Sequence, residues 1–235
     1  MKKTRTLFLV LAIILTFTFA TPVVAQAKSV TITCQMDASY RSEYSSYVSN
    51  MTSTMTNVGY PFNNKWSITF SKTYMDINNL AIDSCTRSYG TACAVGSPCG
   101  TTCVNTSSSS NHHKNMYRNY HQVINDIPIT GYKLMLTVSA SNMCYQSGGS
   151  HSDGILGLGA TSGDYSFVKN NTTRGMMLNV RVIQHELSHN FGCNDGPCTS
   201  GSNCIMSGGF DNNSSYNLTT IWCSNCTSKF NSSLH

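Results

Sequence analysis

The stretch 180–195, VRVIQHELSHNFGCND, constrains the fold more than any other part of the chain. His185 and His189 are four residues apart, so on an α-helix both imidazoles leave one face. Val180, Ile183, Leu187 and Phe191 fall on another face and can enter a core. Gly192 suits the position just past a helix C-terminus, where φ turns positive, so the helix stops there. The turn lets the chain come back and offers Asp195 to the two histidines. Two neutral imidazoles and one carboxylate leave a fourth tetrahedral position for water. Glu186, beside the first histidine, can act on that water as a general base. The chain has only two glutamates, Glu43 and Glu186. A chance HExxH is then expected on the order of 0.002 times, which favours a zinc site over a solvated helix face.

The compartment follows from the first residues and the cysteines. Lys2, Lys3 and Arg5 precede an apolar run from Leu7 to Ala20, and Ala25-Gln26-Ala27 is a small-x-small cleavage site. Residues 1–27 are expected to be a secretory signal peptide, and no later segment is long and apolar enough to span a membrane. The mature chain then keeps twelve Lys and Arg against ten acids, a net of +2 where the whole chain has +5. That balance excludes the clustered basic face of a nucleic-acid binder. All 11 cysteines lie beyond the signal, and in an oxidising space disulfides are the default reading. Eleven is odd, so one thiol stays outside any intrachain pairing. The spacings Cys99-x3-Cys103 and Cys223-x2-Cys226 are also ones that zinc uses.

Along the chain, Ser29–Met36 alternates and reads as a strand. Ser39–Val58 reads as a helix ended by Gly59-Tyr60-Pro61, and Trp66–Phe70 as a second strand. Residues 83–111 form a cysteine-stapled loop, and Lys114–Ile127 has a helical pattern that stops at Pro128. Tyr132–Ala140, Gly154–Ala160 and Tyr165–Val168 read as strands, Thr173–Phe191 as the clearest helix, and Leu218–Leu234 as a last helix. This order predicts an α/β (α+β) domain, 28–235, with a short cysteine-rich tail.

HExxHxxGxx followed by a ligand resembles the signature of the metzincin zinc endopeptidases. Cys204-Ile205-Met206-Ser207-Gly208 is similar to their methionine turn, with Met206 as a packed floor beneath the metal. The Cys-Ile-Met triplet, HELSHNFG, and the tail Ile221-Trp222-Cys223-Ser224-Asn225-Cys226-Thr227 resemble the adamalysin (reprolysin) branch. The specific likeness covers residues 178–234. It departs at the third ligand, where adamalysins carry His and this chain has Asp195. A bacterial metzincin group, the snapalysins, uses Asp there. Cys193 and a distant histidine such as His151 are the other candidates for that position.

The resemblance implies a two-subdomain zinc protease with a twisted mixed sheet and an active-site helix. The upper subdomain is 28–192 and the cysteine-rich lower one 193–235. It implies one catalytic Zn2+ on His185, His189 and Asp195, with Glu186 as base. Peptide would bind as an antiparallel strand along an edge strand, for which Ile155, Leu156, Gly157, Leu158, Gly159 and Ala160 stand in the matching place. Gly157 and Gly159 would let substrate backbone come close. Disulfides Cys198–Cys204, Cys193–Cys223 and Cys144–Cys226 are implied likewise. The expected protein is a secreted, monomeric zinc endopeptidase acting on protein or peptide substrates, with no latency propeptide of the adamalysin kind. Two other readings stand beside it: a zinc exopeptidase, and a cysteine-stapled binding module with a structural or degenerate zinc site.

Overall fold

The computed structural model describes residues 27–77, 134–140, 145–147, 150–152, 156–170, 175–196, 198, 204–207 and 222–235. Eleven elements occur among them, in the order β1 (Lys28–Asp37), α1 (Ala38–Glu43), α2 (Tyr47–Trp66), β2 (Ile68–Ile77), β3 (Leu134–Ser139), β4 (Tyr145–Ser147), β5 (Ser150–Ser152), β6 (Gly157–Gly159), β7 (Tyr165–Lys169), α3 (Met176–Asn190) and α4 (Ser224–Lys229). Five strands make one sheet in the order β2-β1-β3-β7-β6, while β4 and β5 form a separate antiparallel pair. The large sheet is mixed: β2, β1, β3 and β7 run parallel, and β6 returns antiparallel beside β7 as an edge. The fold is therefore mixed α/β, as the order of elements predicts.

The parallel pairs explain the burial. All six residues of β3, LMLTVS, are buried, which is what a central parallel strand covered on both faces requires. Even its polar Thr137 is satisfied there, donating to Gln35 Oε1 at 2.8 Å. Helix α2 contacts β2, α3 contacts β6 and β7, and the two helices touch each other, so both cover one face of the sheet. Asp37 ends β1 and caps α1, accepting from the Tyr40 N–H at 2.8 Å.

Two boundaries differ from the sequence reading for physical reasons. The helix expected to stop at Gly59-Tyr60-Pro61 runs on to Trp66 and ends at Ser67, whose φ is +55°. Pro61 removes the N–H that would bond the Asn57 carbonyl one turn earlier. The Gln184 side chain of α3 takes that carbonyl instead, at 3.3 Å, so the proline is tolerated where a neighbouring helix supplies the donor. The second strand begins two residues later than expected, at Ile68, and runs on to Ile77. Beyond Phe70 most of its residues are exposed or half-buried, as on a sheet edge, so apolar patterning did not mark them. The expected last helix shortens to α4, and the β4–β5 pair was not anticipated although Gly148-Gly149 is a hairpin signal. The loop 83–111 and the helix 114–127 lie outside the described residues, as does 208–221. Among the described residues no helix is long and apolar enough to cross a membrane.

An aromatic cluster closes the core. Phe62 of α2 meets Phe70, Phe191, Trp222 and Phe230 with ring centroids 5.1, 5.8, 4.9 and 6.0 Å away. Phe230 also stacks on Trp66 at 4.4 Å and on Phe191 at 4.9 Å. The cluster thus ties α2, β2, the end of α3 and the segment around α4 into one body. Truncating its centre leaves a cavity bordered by rigid rings. Phe62→Ala is expected to lower unfolding stability by about 3–5 kcal/mol, read as a shifted urea midpoint with an unchanged slope; a shift under about 1 kcal/mol would show that the cluster does not hold these elements together.

Candidate metal centre

Helix α3 is buried on every side from Leu178 to Asn190. A helix that reads as amphipathic but is enclosed must place each of its polar groups against a partner. His185 and His189 rise from it one turn apart, their ring centroids 4.9 Å apart and their planes at 82°. The helix ends at Phe191, and Gly192 follows with φ +91°. There its N–H donates to the His189 carbonyl at 2.8 Å and the Cys193 N–H to the Ser188 carbonyl at 3.0 Å. This left-handed exit, favoured by glycine, turns the chain back. Asp195 then stands with Oδ1 at 3.1 Å from His185 Nε2 and 3.5 Å from His189 Nε2.

Backbone carbonyls set the other side of both rings. His185 Nδ1 lies 3.0 Å from the Ile205 carbonyl, and His189 Nδ1 lies 2.7 Å from the Cys193 carbonyl. A carbonyl can only accept, so each Nδ1 carries the proton and each Nε2 of a neutral ring presents a lone pair. Two lone pairs and a carboxylate oxygen thus converge on one point, an arrangement that needs a cation or added protons to be stable. Nitrogen and oxygen ligands on zinc at about 2.0–2.1 Å would be separated by about 3.4 Å in a tetrahedron. The two measured separations bracket that value. The donor set therefore fits a divalent metal, with a position left open.

The electrostatics agree with the convergence. Once a proton is added at Nε2, hydrogen bonds from His185 and then His189 hold the Asp195 carboxyl well below the usual carboxylate range. For His189, burial pushes downward, but the Asp195 hydrogen bond, the Glu186 charge and the Cys193 carbonyl outweigh it, and the net shift is upward. Glu186 is 4% exposed, and burial raises it most, with the Asp195 charge adding and both histidines opposing. Asp195 is the exposed member, with 76% of its side chain accessible. Its carboxylate forms the solvent side of the site.

The structure brings together His185, His189 and Asp195 of the residues expected to bind metal, and a second group, Cys198, Cys204, Cys223 and Cys226; in each the ligand atoms lie within 4.8 Å of one another. The Cys193 sulfur points elsewhere, 3.5 Å from the Cys226 carbonyl, so this residue serves the centre by its backbone. His151 lies on β5, whose side chains are outside the described residues. Met206 is buried in the turn that supplies the Ile205 carbonyl, closed by the Ser207 N–H on the Cys204 carbonyl at 3.0 Å. Cys34, Cys193, Cys198, Cys204 and Cys226 are free thiols. Cys144 lies outside the described residues.

Strand β6 holds Gly157, Leu158 and Gly159 on the sheet edge, flanked by Leu156 and Ala160; Ile155 is outside the described residues. The two glycines serve a purpose other than the expected one. A Cβ on Gly157 would collide with the Glu186 side chain, and one on Gly159 with the Glu186 backbone. It is the helix, not a ligand, that occupies the space these glycines leave. Asn190 was not singled out in the sequence, yet it joins helix and edge hairpin. Its Nδ2 donates to the carbonyls of Ala160 and Tyr165 at 3.0 Å each, and its Oδ1 accepts from Ser166 Oγ at 2.8 Å. A polar residue inside a run of predicted core positions was the available signal.

No protein-family model matches the chain, and no curated protein matches it. Among solved structures it is similar to a chain described as "Structure of a chaperone-substrate complex", with a TM-score of 0.45 and 10% identity over 84% of this chain and 34% of that one. The chain spans about a third of that neighbour. At this level of similarity neither fold nor function transfers. Fold and site together define a mixed α/β protein with a two-histidine, one-carboxylate centre on a buried helix.

Asn190→Ala would remove one of two donors from each of the Ala160 and Tyr165 carbonyls, which keep the Gly163 and Ala160 N–H groups, and would leave the buried Ser166 hydroxyl without its acceptor. The expected loss is about 1–3 kcal/mol in urea unfolding, with weaker zinc retention on dialysis because His189 is the adjacent residue. An unchanged midpoint and unchanged zinc retention would show that the edge hairpin does not position this end of α3.

Proposed function

We propose that the protein is a secreted zinc endopeptidase, resembling the metzincins, that hydrolyses bonds within extracellular proteins or peptides. The observation that carries this reading is the convergence of His185 Nε2, His189 Nε2 and Asp195 Oδ1 on one point beside buried Glu186. A zinc ion held by these three residues would supply Lewis acidity to a water and to a scissile carbonyl. The Nδ1 hydrogen bonds keep both imidazoles aimed, with each Nε2 turned toward the shared point. Glu186 takes the proton from water on its carboxylate and passes it to the departing amine. Burial strengthens it for this task, since a base that is raised from the ordinary range takes up a proton more readily. A structural zinc site would need no such base and would close its fourth position, which favours catalysis over a binding module.

Strand β6 supports the substrate side of the proposal. It is an edge of the sheet, and it packs against the helix at Glu186. A peptide added antiparallel to that edge would use backbone hydrogen bonds, and such recognition tolerates many side chains. The finer assignment, a two-subdomain cleft with Met206 as its floor and a peptide running along 155–160, belongs to the same proposal. An endopeptidase would cut within long chains, and an exopeptidase only from their ends.

Unfolded casein is the first substrate to try. Cleavage at internal bonds is expected, lost on zinc chelation and restored by zinc. Glu186→Ala is expected to lower the rate by about 10²–10⁴-fold while the protein keeps its zinc. Release of terminal residues alone would favour the exopeptidase reading. A folded, zinc-loaded protein that leaves casein and a broad peptide library intact would overturn the endopeptidase reading.

A further inference from the structure

The four sulfurs of Cys198, Cys204, Cys223 and Cys226 meet in a way that disulfides do not explain. Cys226 Sγ lies 3.8 Å from Cys198 Sγ, 3.6 Å from Cys204 Sγ and 3.5 Å from Cys223 Sγ. All four ligand atoms lie within 4.8 Å of one another. A disulfide joins sulfurs two at a time at about 2.0 Å. One sulfur in near-equal contact with three others has the geometry of a cluster. A tetrahedral zinc with Zn–S bonds of about 2.3 Å has edges of about 3.8 Å, close to the separations found. The spacing also suits a metal: Cys223-x2-Cys226 is the short pair, with Cys223 at the start of α4 and Cys226 inside it, and Cys198-x5-Cys204 is the second pair, just before Met206.

We propose that Cys198, Cys204, Cys223 and Cys226 bind a zinc ion of their own, in a closed structural site that fixes the 204–207 turn beneath His185. Three of the four cysteines are buried, and Cys198 is half-buried, so the site has one side through which a metal can enter. Binding one zinc ion displaces four thiol protons and moves no electrons, and it leaves a complex of charge −2. Two groups stand ready for that charge. The Cys223 backbone N–H points at Cys204 Sγ at 3.4 Å, and the buried guanidinium of Arg181 donates to the Cys204 carbonyl. The consequence reaches the histidine centre through one peptide unit. Cys204 is bound to Ile205, whose carbonyl holds His185 Nδ1. A metal on Cys204 therefore anchors the acceptor that aims His185. The site is all-sulfur and closed, whereas the histidine centre is mixed and open, and the two select for structural and reactive roles respectively.

The inference does not depend on proteolysis, and its test reads the sulfurs directly. Protein purified without chelator or added reductant is expected to hold two zinc ions per chain, one of them remaining in a His185→Ala/His189→Ala variant. Replacement by cobalt(II) should give the intense thiolate-to-metal charge-transfer absorption that histidine and carboxylate ligands do not produce. Cys198→Ser, at the most accessible ligand, should weaken that band and raise the zinc dissociation rate at least tenfold. The four cysteines should resist alkylation until a chelator is added. Peptide mapping that finds these four joined as disulfides in the native protein would overturn the proposal. So would a cobalt-loaded protein with no thiolate band, a result read on the native chain whether or not a variant folds.

Discussion

The enclosure of helix α3 is the constraint on which the rest of the structure depends. Polar side chains at eight of its positions lie in the interior, and burial without a partner costs about 1–3 kcal/mol per group. Six of those residues act as grips on neighbouring groups. Arg181 takes the Cys204 carbonyl, and Gln184 takes the Asn57 carbonyl that Pro61 left free. Ser188 donates to the Gln184 carbonyl at 2.6 Å and accepts from the Trp222 indole at 2.9 Å. Asn190 holds the β6–β7 hairpin. His185 and His189 hold the two segments that follow the helix. The helix is thus the meeting point of α2, the sheet edge and the C-terminal stretch, and moving it would break contacts in all three.

That arrangement also explains why the two imidazoles can be aimed so narrowly. Each ring is held by a carbonyl on one nitrogen and by helix packing around its Cβ, leaving rotation little freedom. The carboxylate is the exception. Asp195 sits on a turn beyond the glycine exit and faces solvent, so its position depends on the Gly192 geometry. A Cβ at position 192 would approach the Lys229 carbonyl to 3.1 Å, besides needing an unfavourable φ. One glycine therefore positions one ligand, and two backbone carbonyls position the other two.

The sequence made the helix, its stop and the convergence of His185, His189 and Asp195 legible because each rests on local rules: a four-residue spacing, an apolar stripe and a glycine at the exit. The central strands were legible for the same reason, as Leu134–Ser139 is apolar enough to be buried on both faces. What escaped was set by distant partners. No local rule says that Pro61 can stay inside a helix; that follows from Gln184, more than a hundred residues away. The exposed end of β2 had no apolar signal because its pairing with β1 is made by backbone groups that every residue carries. Gly157 and Gly159 were read as making room for substrate, a sound inference from two glycines in a strand, but packing gave that room to Glu186. The convergence of four cysteines was equally hidden, since spacing along the chain shows pairs and only the fold shows which pairs meet.

The cysteine cluster and the histidine centre are best understood as parts of one design problem. The described residues 193–196 and 204–207 present two carbonyls and one carboxylate to α3. Hydrophobic packing helps at Trp222 and Phe230, which lock into the aromatic cluster. Packing of rings fixes the location of a segment better than the orientation of its peptide groups. Hydrogen bonds at Cys204, from Arg181 to its carbonyl and from the Cys223 N–H to its sulfur, act on the peptide next to the Ile205 carbonyl and fix orientation directly. Cys223 and Cys226 connect that point to α4, and α4 connects through Phe230 to Phe62 and Phe191. The path from sulfur cluster to aromatic core to helix α3 is closed, so distortion at any point is resisted from two sides. A chain with only 11% charged residues gains little from surface ion pairs, and it places its constraint where the chemistry needs it.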